Sequence, residues 1–500
     1  MENKNSLFYF CAYGEIKMSD KSAIVLFVKN EVYDIASWIS WHLSLGFDKI
    51  FIYDDHSSDG TFEVCEIIRR KYNIELNRTN IEKEPNFYWR QKESYFDACR
   101  KSLNNYKWLA FLDADEYIYL EEHNTINDFL LDYENCNAIA LNWCIYGGSY
   151  KVLKDHIPIY QAFLFHSQKE LDDNTLVKSI IKPEYYTFNY TDPHKFHLEN
   201  EQYLDSLGNS FTWSGSTKKV EWGRARVNHY ICRSMEHYVA RINRRLGADL
   251  SNSTVYWNHF DKNDLEYHIE KSKIENANKI LNDIKTILFD NYQETLILKN
   301  KFHNQVINSK EKKSKTFVIK TQHDSYLHLD SIDGFLAQTP DISTTNNPIY
   351  GIIYDEDPDT IYLVSQDNEQ VSNINFHIKD KQQKSFCYRF QIVPSHNNSV
   401  FLRDPYTNKY LSCVPLDLGG DITCNRQDHS AWEQFFLIEN SFQFETLSSI
   451  KYYFNYQQFV DFLLKQNLNY NDFLIASSNL DTKSRELLLE ESDKTLSWIV

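Results

Sequence analysis

Residues 23–28 form an unbroken apolar run, Ala-Ile-Val-Leu-Phe-Val, that stops abruptly at Lys29-Asn30-Glu31. A strand apolar on both faces must be covered on both, as in the sheets of α/β proteins. The hydrophobic period then changes and changes back. Val32, Ile35, Ile39 and Leu43 recur at helical steps, and Gly46 closes that segment. Residues 50–53 make a second apolar run, 62–71 read as a helix, 74–76 as a strand, 88–103 as a long helix and 108–112 as a fourth strand. Strand and helix alternating over 115 residues predict a doubly wound α/β sheet.

Three of these strands end in polar clusters: Asn30-Glu31, then Asp54-Asp55-His56-Ser57-Ser58-Asp59-Gly60-Thr61, then Asp113-Ala114-Asp115-Glu116. The carboxyl ends of parallel strands share one edge, so the clusters would wall one cleft. Asp113 and Asp115 are two apart, and an extended backbone points both carboxylates to one side. Two hard oxygen ligands there suit Mg²⁺ or Mn²⁺, ions that commonly arrive with phosphates. Taken alone, residues 54–61 also fit an ordinary Asx-rich turn with Asp59-Gly60 at its corner.

Five hundred residues predict two or three domains. A net charge of −17 argues against a general nucleic-acid binder or a polybasic membrane binder. Nine cysteines, none in a Cys-x-x-Cys pair, fit buried thiols in a reducing compartment. The apolar patch at 7–13 has no basic n-region and too little length for a leader, and no run approaches ~20 apolar residues. The expectation is a cytoplasmic protein, or one peripheral to a membrane, without a transmembrane segment.

Shorter strands follow at 138–143, 177–181 and 227–231, with helices at about 234–246 and 262–295 and a Lys/Asn/Ser-rich linker at 301–316. Beyond it, aromatic-apolar strings recur at 348–353, 387–393 and 431–437, separated by 39 and 44 residues. The starts match as well: Ser325-Tyr326-Leu327-His328-Leu329 against Lys409-Tyr410-Leu411-Ser412-Cys413. Three all-β units predict a pseudo-threefold barrel, since three blades are too few for a propeller. The pattern resembles the β-trefoil of the fascin and ricin-lectin type, without the Gln-x-Trp of ricin-type sugar binding. Residues 441–500 read as helical, with Phe459, Phe462, Leu463 and Leu487 to Leu489 set for packing against a neighbour.

The ordered series Lys29-Asn30-Glu31, Trp38 to Trp41-His42, Gly46-Phe47, Asp54 to Thr61 and Asp113 to Glu116 resembles family 2 type glycosyltransferases of the GT-A fold, in a subgroup similar to the family 92 enzymes, which implies a Rossmann-like, doubly wound mixed sheet. The resemblance covers about residues 20–245. It implies that Lys29, Asn30, Glu31, Asp54, Asp55 and Asp59 hold the nucleoside of a nucleotide-sugar, with a UDP-sugar favoured, and that Lys178 and Arg233 grip its phosphates. It implies Mn²⁺ or Mg²⁺ on Asp113 and Asp115, with His229 as a further ligand and His194 as its competitor. An inverting transfer needs a carboxylate base, for which Asp205, Glu221 and Glu236 are candidates. The acceptor would be a glycan, a lipid-linked saccharide or a protein. The domains expected are 1–300 (GT-A glycosyltransferase), 301–316 (linker), 317–440 (β-trefoil-like) and 441–500 (helical). A carbohydrate-binding scaffold with an inactive α/β half is the alternative. A nucleotidyltransferase would want a Gly-rich basic loop that residues 23–31 do not offer.

Overall fold

The computed structural model describes residues 21–499 except 155–156, 211–215, 245–252, 301–313, 331–333, 346, 368–369, 373, 382–383, 445, 447–454 and 466–467. The apolar patch at 7–13 and most of the expected linker lie outside the described residues.

The chain opens with β1 (Ser22–Val28), α1 (Ile35–Ser44), β2 (Lys49–Asp54), α2 (Thr61–Ile68), β3 (Ile74–Arg78), α3 (Phe87–Ser102) and β4 (Trp108–Leu112). It continues through β5 (Glu116–Leu120), β6 (Ala138–Ile145), β7 (Val177–Ile181), β8 (Tyr203–Asp205) and β9 (Ala225–His229). These nine strands form one mixed sheet ordered β3-β2-β1-β4-β7-β6-β9-β5, with β8 also on β6. The first four are parallel, as their alternation with helices requires. β7 runs against both β4 and β6, and β5 runs against β9. β6 serves three partners: Ala138–Asn142 pair with β7, Ala138–Ala140 also with β8, and Trp143–Ile145 with β9. The β9–β5 ribbon therefore sits at the end of the sheet where β4 stops, which lets the chain enter β5 three residues after leaving β4.

The unbroken apolar character of β1 is explained by burial on both faces. Ile24, Leu26 and Val28 join the cluster formed by α1, α2 and the long helix Lys271–Asn300. Ala23, Val25 and Phe27 face Tyr95 and Phe96 of α3, along with the hairpin of Tyr186–Asp192 and Lys195–Leu198. The long helix begins at Lys271, not near 262, because Leu265–Glu266 instead pairs with Phe165–His166.

Six strands of the C-terminal half close an antiparallel ring: Ser314–Thr321, Ile349–Tyr354, Asp357–Asp367, Cys387–Pro394, Val400–Arg403 and Gln434–Glu439, the last pairing with the first. The three recurring strings fall on alternate ring strands. The two matched starts lie on equivalent hairpins, Tyr326–Leu329 with Leu336–Thr339 and Tyr410–Cys413 with Ile422–Arg426. The ring opens at Ser314, inside the expected linker.

Helices Tyr456–Lys465, Tyr470–Ser477 and Thr482–Glu491 follow. Phe473 stacks on Phe289 of the long helix with centroids 4.3 Å apart, while Asn471 Oδ1 accepts a bond from the Val371 N–H of the ring half. The tail thus touches both halves of the molecule. Among the described residues, no helix is long and apolar enough to cross a membrane.

Candidate active site

The acidic cluster is held from behind by α1. Trp38 Nε1 donates to the carbonyls of Asp113 (3.2 Å) and Glu116 (2.9 Å), and Trp41 Nε1 donates to that of Ile118 (2.8 Å). The fully buried His42 donates from Nδ1 to the Trp38 carbonyl (2.9 Å) and accepts at Nε2 from the Ile118 N–H (3.4 Å). Acceptance at Nε2 needs the neutral ring, and burial lowers its pKa to about 3. Three side chains of one helix face thereby fix the turn from β4 into β5.

At the end of β1, Asn30 takes the left-handed conformation (φ 57°), and its side-chain carbonyl accepts from the Ser58 N–H at 2.8 Å. Asp59 accepts from the N–H groups of Val32 and Thr61 (3.0 Å each) and from the Thr61 hydroxyl (2.6 Å). Asp59 therefore ties the first two strand ends together. Asp55 takes a two-pronged grip from Arg90 (2.6 and 2.8 Å), plus Thr79 at 2.7 Å and Lys29 at 3.4 Å. Burial opposes its charge, but Arg90 and Thr79 prevail and its pKa is lowered. Asp54 is fully buried, accepts from the Ser57 N–H (3.1 Å), and leaves Oδ1 without a hydrogen-bond partner among the described residues.

Arg233, four residues beyond β9, reaches back across the edge. Its guanidinium lies 2.7 Å from both Glu31 and Asp34 and 3.2 Å from His237 Nε2. Burial raises the pKa of Glu31, and Arg233 opposes that rise. The buried cation is compensated by the two carboxylates, whose charges keep it protonated against its own desolvation.

The acidic cluster itself divides. Asp113 Oδ2 lies 2.7 Å from the buried Lys178 ammonium, and Glu116 Oε2 lies 3.1 Å from it while also accepting from the Asp113 N–H (2.9 Å). Burial pushes the Glu116 carboxyl up to about 7. Asp115 turns the other way, with Oδ2 at 3.3 Å from Arg241 and 3.7 Å from His229 Nε2. Burial works against the Asp115 charge, yet His229 and then Arg241 hold its pKa well below the usual carboxylate range. His229 lies against Trp143, and its buried Nδ1 has no hydrogen-bond partner among the described residues. His194 instead bonds the Val177 carbonyl through Nδ1 (2.9 Å), and burial lowers its pKa to about 4.

Among the described residues, no three or more His, Cys, Asp or Glu side chains gather in a group that could hold a metal ion. The residues that could contribute to a divalent site are Asp115 and His229, a carboxylate oxygen and an imidazole nitrogen 3.7 Å apart, which are ligand types such ions take beside phosphate and water.

The three candidate bases are scattered. Asp205 is engaged by the turn after β8, accepting from the N–H groups of Leu207 and Asn209 (2.9 Å each). Glu221 Oε2 is 3.4 Å from Lys169. Glu236 accepts from the Lys154 N–H at 2.8 Å, beside a lysine whose ionisation also responds to Asp34, Arg233 and Glu31. Asp34, Arg90 and Arg241 were not singled out from the sequence. No spacing marks them, because each meets its partner across 35 to 199 residues.

The model of glycosyltransferase family 92 matches residues 23–329, more than half of the chain. A family 92 protein of Ricinus communis is 28% identical over 120 residues, covering 22% of this chain and 20% of that protein. A second alignment with it gives 24% over 231 residues, covering 45% and 38%. One from Oryza sativa subsp. japonica is 26% identical over 107 residues, covering 21% and 17%. The chain therefore spans well under half the length of these curated relatives. The solved structure of S. aureus TarS 1-349 aligns at 13% identity and a TM-score of 0.26, over 53% of this chain and 80% of that one. The designed three-fold symmetric protein ThreeFoil aligns at 13% and 0.18, over 25% and 97%. By the extent of the family match, the chain belongs to glycosyltransferase family 92.

Proposed function

We infer that the protein is a glycosyltransferase of GT-A type that moves a sugar from a nucleotide-sugar, a UDP-sugar by preference, onto a glycan, lipid-linked saccharide or protein, with inversion. The observation that carries this reading is Asp115, kept ionised within 3.7 Å of His229 at the edge where β1, β2 and β4 also end. The donor's nucleoside would lie along Lys29, Asn30, Glu31, Asp54 and Asp55. Asp115 and His229 would hold Mn²⁺ or Mg²⁺, joined by Asp113, one of whose oxygens faces Lys178. An ion held there would supply positive charge for a departing diphosphate. Lys178 keeps two neighbouring carboxylates from repelling each other, and the cation Arg233 does the same for Glu31 and Asp34. Glu236 is the base this reading favours, because it borders the Glu31–Asp34–Arg233 group through Lys154.

The domain reading keeps 1–300 as the catalytic unit, 317–440 as a β-trefoil and 441–500 as a brace. The closed ring with its recurrence on alternate strands supports the trefoil.

A thermal-shift screen with UDP-, GDP- and CMP-sugars, with and without Mn²⁺, tests the reading. One donor class is expected to stabilise the protein only with Mn²⁺, and Asp115→Asn to abolish that shift. Equal shifts in wild type and Asp115→Asn would sink the metal-dependent donor site.

A further inference from the structure

Phe87, the first residue of α3, keeps 48% of its surface exposed at the edge where the cleft begins. Its ring meets Phe27 of β1 edge to face, with centroids 5.2 Å apart and planes at 80°. Such a contact covers at most one face of Phe87 and leaves the other open. The turn that carries the ring is fixed on both sides. Asn86 caps the helix, its side-chain oxygen accepting from the N–H groups of Tyr88 (2.9 Å) and Trp89 (3.4 Å). Tyr88 donates its hydroxyl to the Thr191 carbonyl, in the strand Tyr186–Asp192.

The surroundings place that open face beside the expected nucleoside. Phe27 and Tyr53 lie on the α3 side of the sheet. Two residues further along come Lys29 and Asp55, which the strand period of two sets on the same side. Lys29 reaches Asp55 at 3.4 Å, and Arg90, one helical turn beyond Phe87, grips the same carboxylate. Trp89 is nearly as exposed, at 43%, but it projects about 160° away round the helix, and its ring takes the Lys92 ammonium at 4.9 Å.

The floor next to Phe87 selects what the face can carry. Both oxygens of Asp55 are engaged by Arg90, Thr79 and Lys29, and Arg90 Nη1 donates to the carbonyls of Glu84 (3.0 Å) and Pro85 (2.7 Å). Saccharide hydroxyls would call for donors and acceptors that this closed network has already taken up, and burying them unpaired is costly. A nucleobase needs only a π-face, since stacking on an aromatic side chain tolerates any base. Lys29 keeps 42% of its side chain exposed, and its charge suits the phosphates that follow a nucleoside.

We propose that the open face of Phe87 is the platform on which the donor's nucleobase stacks. The proposal rests on the nucleotide-sugar reading of the cleft, so the experiment separates base from phosphate. Full-length protein is titrated calorimetrically, in MnCl₂, with UDP, GDP, CMP and inorganic pyrophosphate. Wild type is expected to bind at least one nucleotide more tightly than pyrophosphate. Phe87→Leu keeps apolar bulk against Phe27 and removes the π-face. It is expected to weaken that nucleotide about tenfold or more and to leave pyrophosphate unchanged. Phe87→Tyr and Trp89→Ala are expected to bind like wild type, so that the loss in Phe87→Leu reports stacking rather than misfolding. Undiminished nucleotide binding by Phe87→Leu overturns the proposal and leaves the face to an acceptor sugar. Equal losses for nucleotide and pyrophosphate, or the same loss in Phe87→Tyr or Trp89→Ala, also overturn it, because they report a disturbed helix turn. Wild type that binds pyrophosphate as tightly as every nucleotide removes the base platform alone. Wild type that binds neither removes the donor reading with it.

Discussion

Lys178 Nζ lies 2.7 Å from Asp113 Oδ2, and the same buried ammonium is 3.1 Å from Glu116 Oε2. One cation from β7 thus fixes the first and last carboxylates of the acidic cluster, one of them fully buried. Lys178→Met keeps the stem and removes the charge. Glu116, already pushed up to about 7 by burial, is then driven further toward its neutral form, and the Asp113 carboxylate loses its nearest counter-charge. The expected cost is about 3 kcal/mol in urea denaturation, the scale for leaving a buried ion pair half-made. An unchanged midpoint would mean that the three groups are not coupled.

His42 sets an acid limit on stability. Its folded-state pKa is lowered from 6.5 to about 3 by burial, so the unfolded chain binds the extra proton first as pH falls. The contribution is intact above pH about 6.5 and is lost between there and about 3, reaching about 2 kcal/mol by pH 5. Glu116 acts in the opposite direction, since a raised carboxyl pKa stabilises the fold less as pH rises from 4.5 toward 7. The comparison with His42→Gln isolates the histidine, because the amide can still donate to Trp38 and accept from Ile118. The stability gap between wild type and variant should shift by about 2 kcal/mol between pH 7.5 and pH 5, wild type losing ground. A constant gap would show that His42 titrates normally.

The sequence marked the outline better than the wiring. The unbroken run at 23–28 was enough to require cover on both faces, and the covers are the clusters of α1, α2 and α3. The recurring aromatic strings fall on alternate strands of the ring. Which strands of the mixed sheet reverse was not legible. β5 and β7 are five-residue strands as short as β4, and nothing local records which way they run. Nor could sequence separate binding groups from braces. Asp59 and His42 belong to the motif series, yet both spend their polar atoms on neighbouring backbone. Arg90 and Arg233 bind partners 35 and 202 residues away, a pairing that only the folded edge creates.

Gly60 joins the second strand end to the tail. Its φ is 104°, and a Cβ there would lie 2.9 Å from the Asp493 carbonyl and 3.0 Å from Lys494 Cβ. Gly60→Ala therefore meets backbone strain and a backbone obstacle together, for a loss of about 1–3 kcal/mol. Faster proteolysis around residues 482–499 should accompany the fall in melting temperature. A melting temperature and a cleavage rate equal to wild type would show that the tail does not press on this loop.

Arg233 offers a choice between gripping a phosphate and bracing the edge. Its guanidinium already serves Glu31, Asp34 and His237, and its second terminal nitrogen lies 3.4 Å from the Ala114 carbonyl. A brace predicts that Arg233→Ala costs about 3–5 kcal/mol, because two carboxylates lose their shared counter-charge where burial already raises the Glu31 pKa. It also predicts partial rescue by adding Glu31→Gln and Asp34→Asn, which remove the uncompensated charge. A phosphate grip predicts the reverse: stability near wild type, a weakened response to nucleotide-sugar, and no rescue. Urea denaturation of the single and triple variants, with donor-induced thermal shifts on each, separates the two, and the geometry favours the brace.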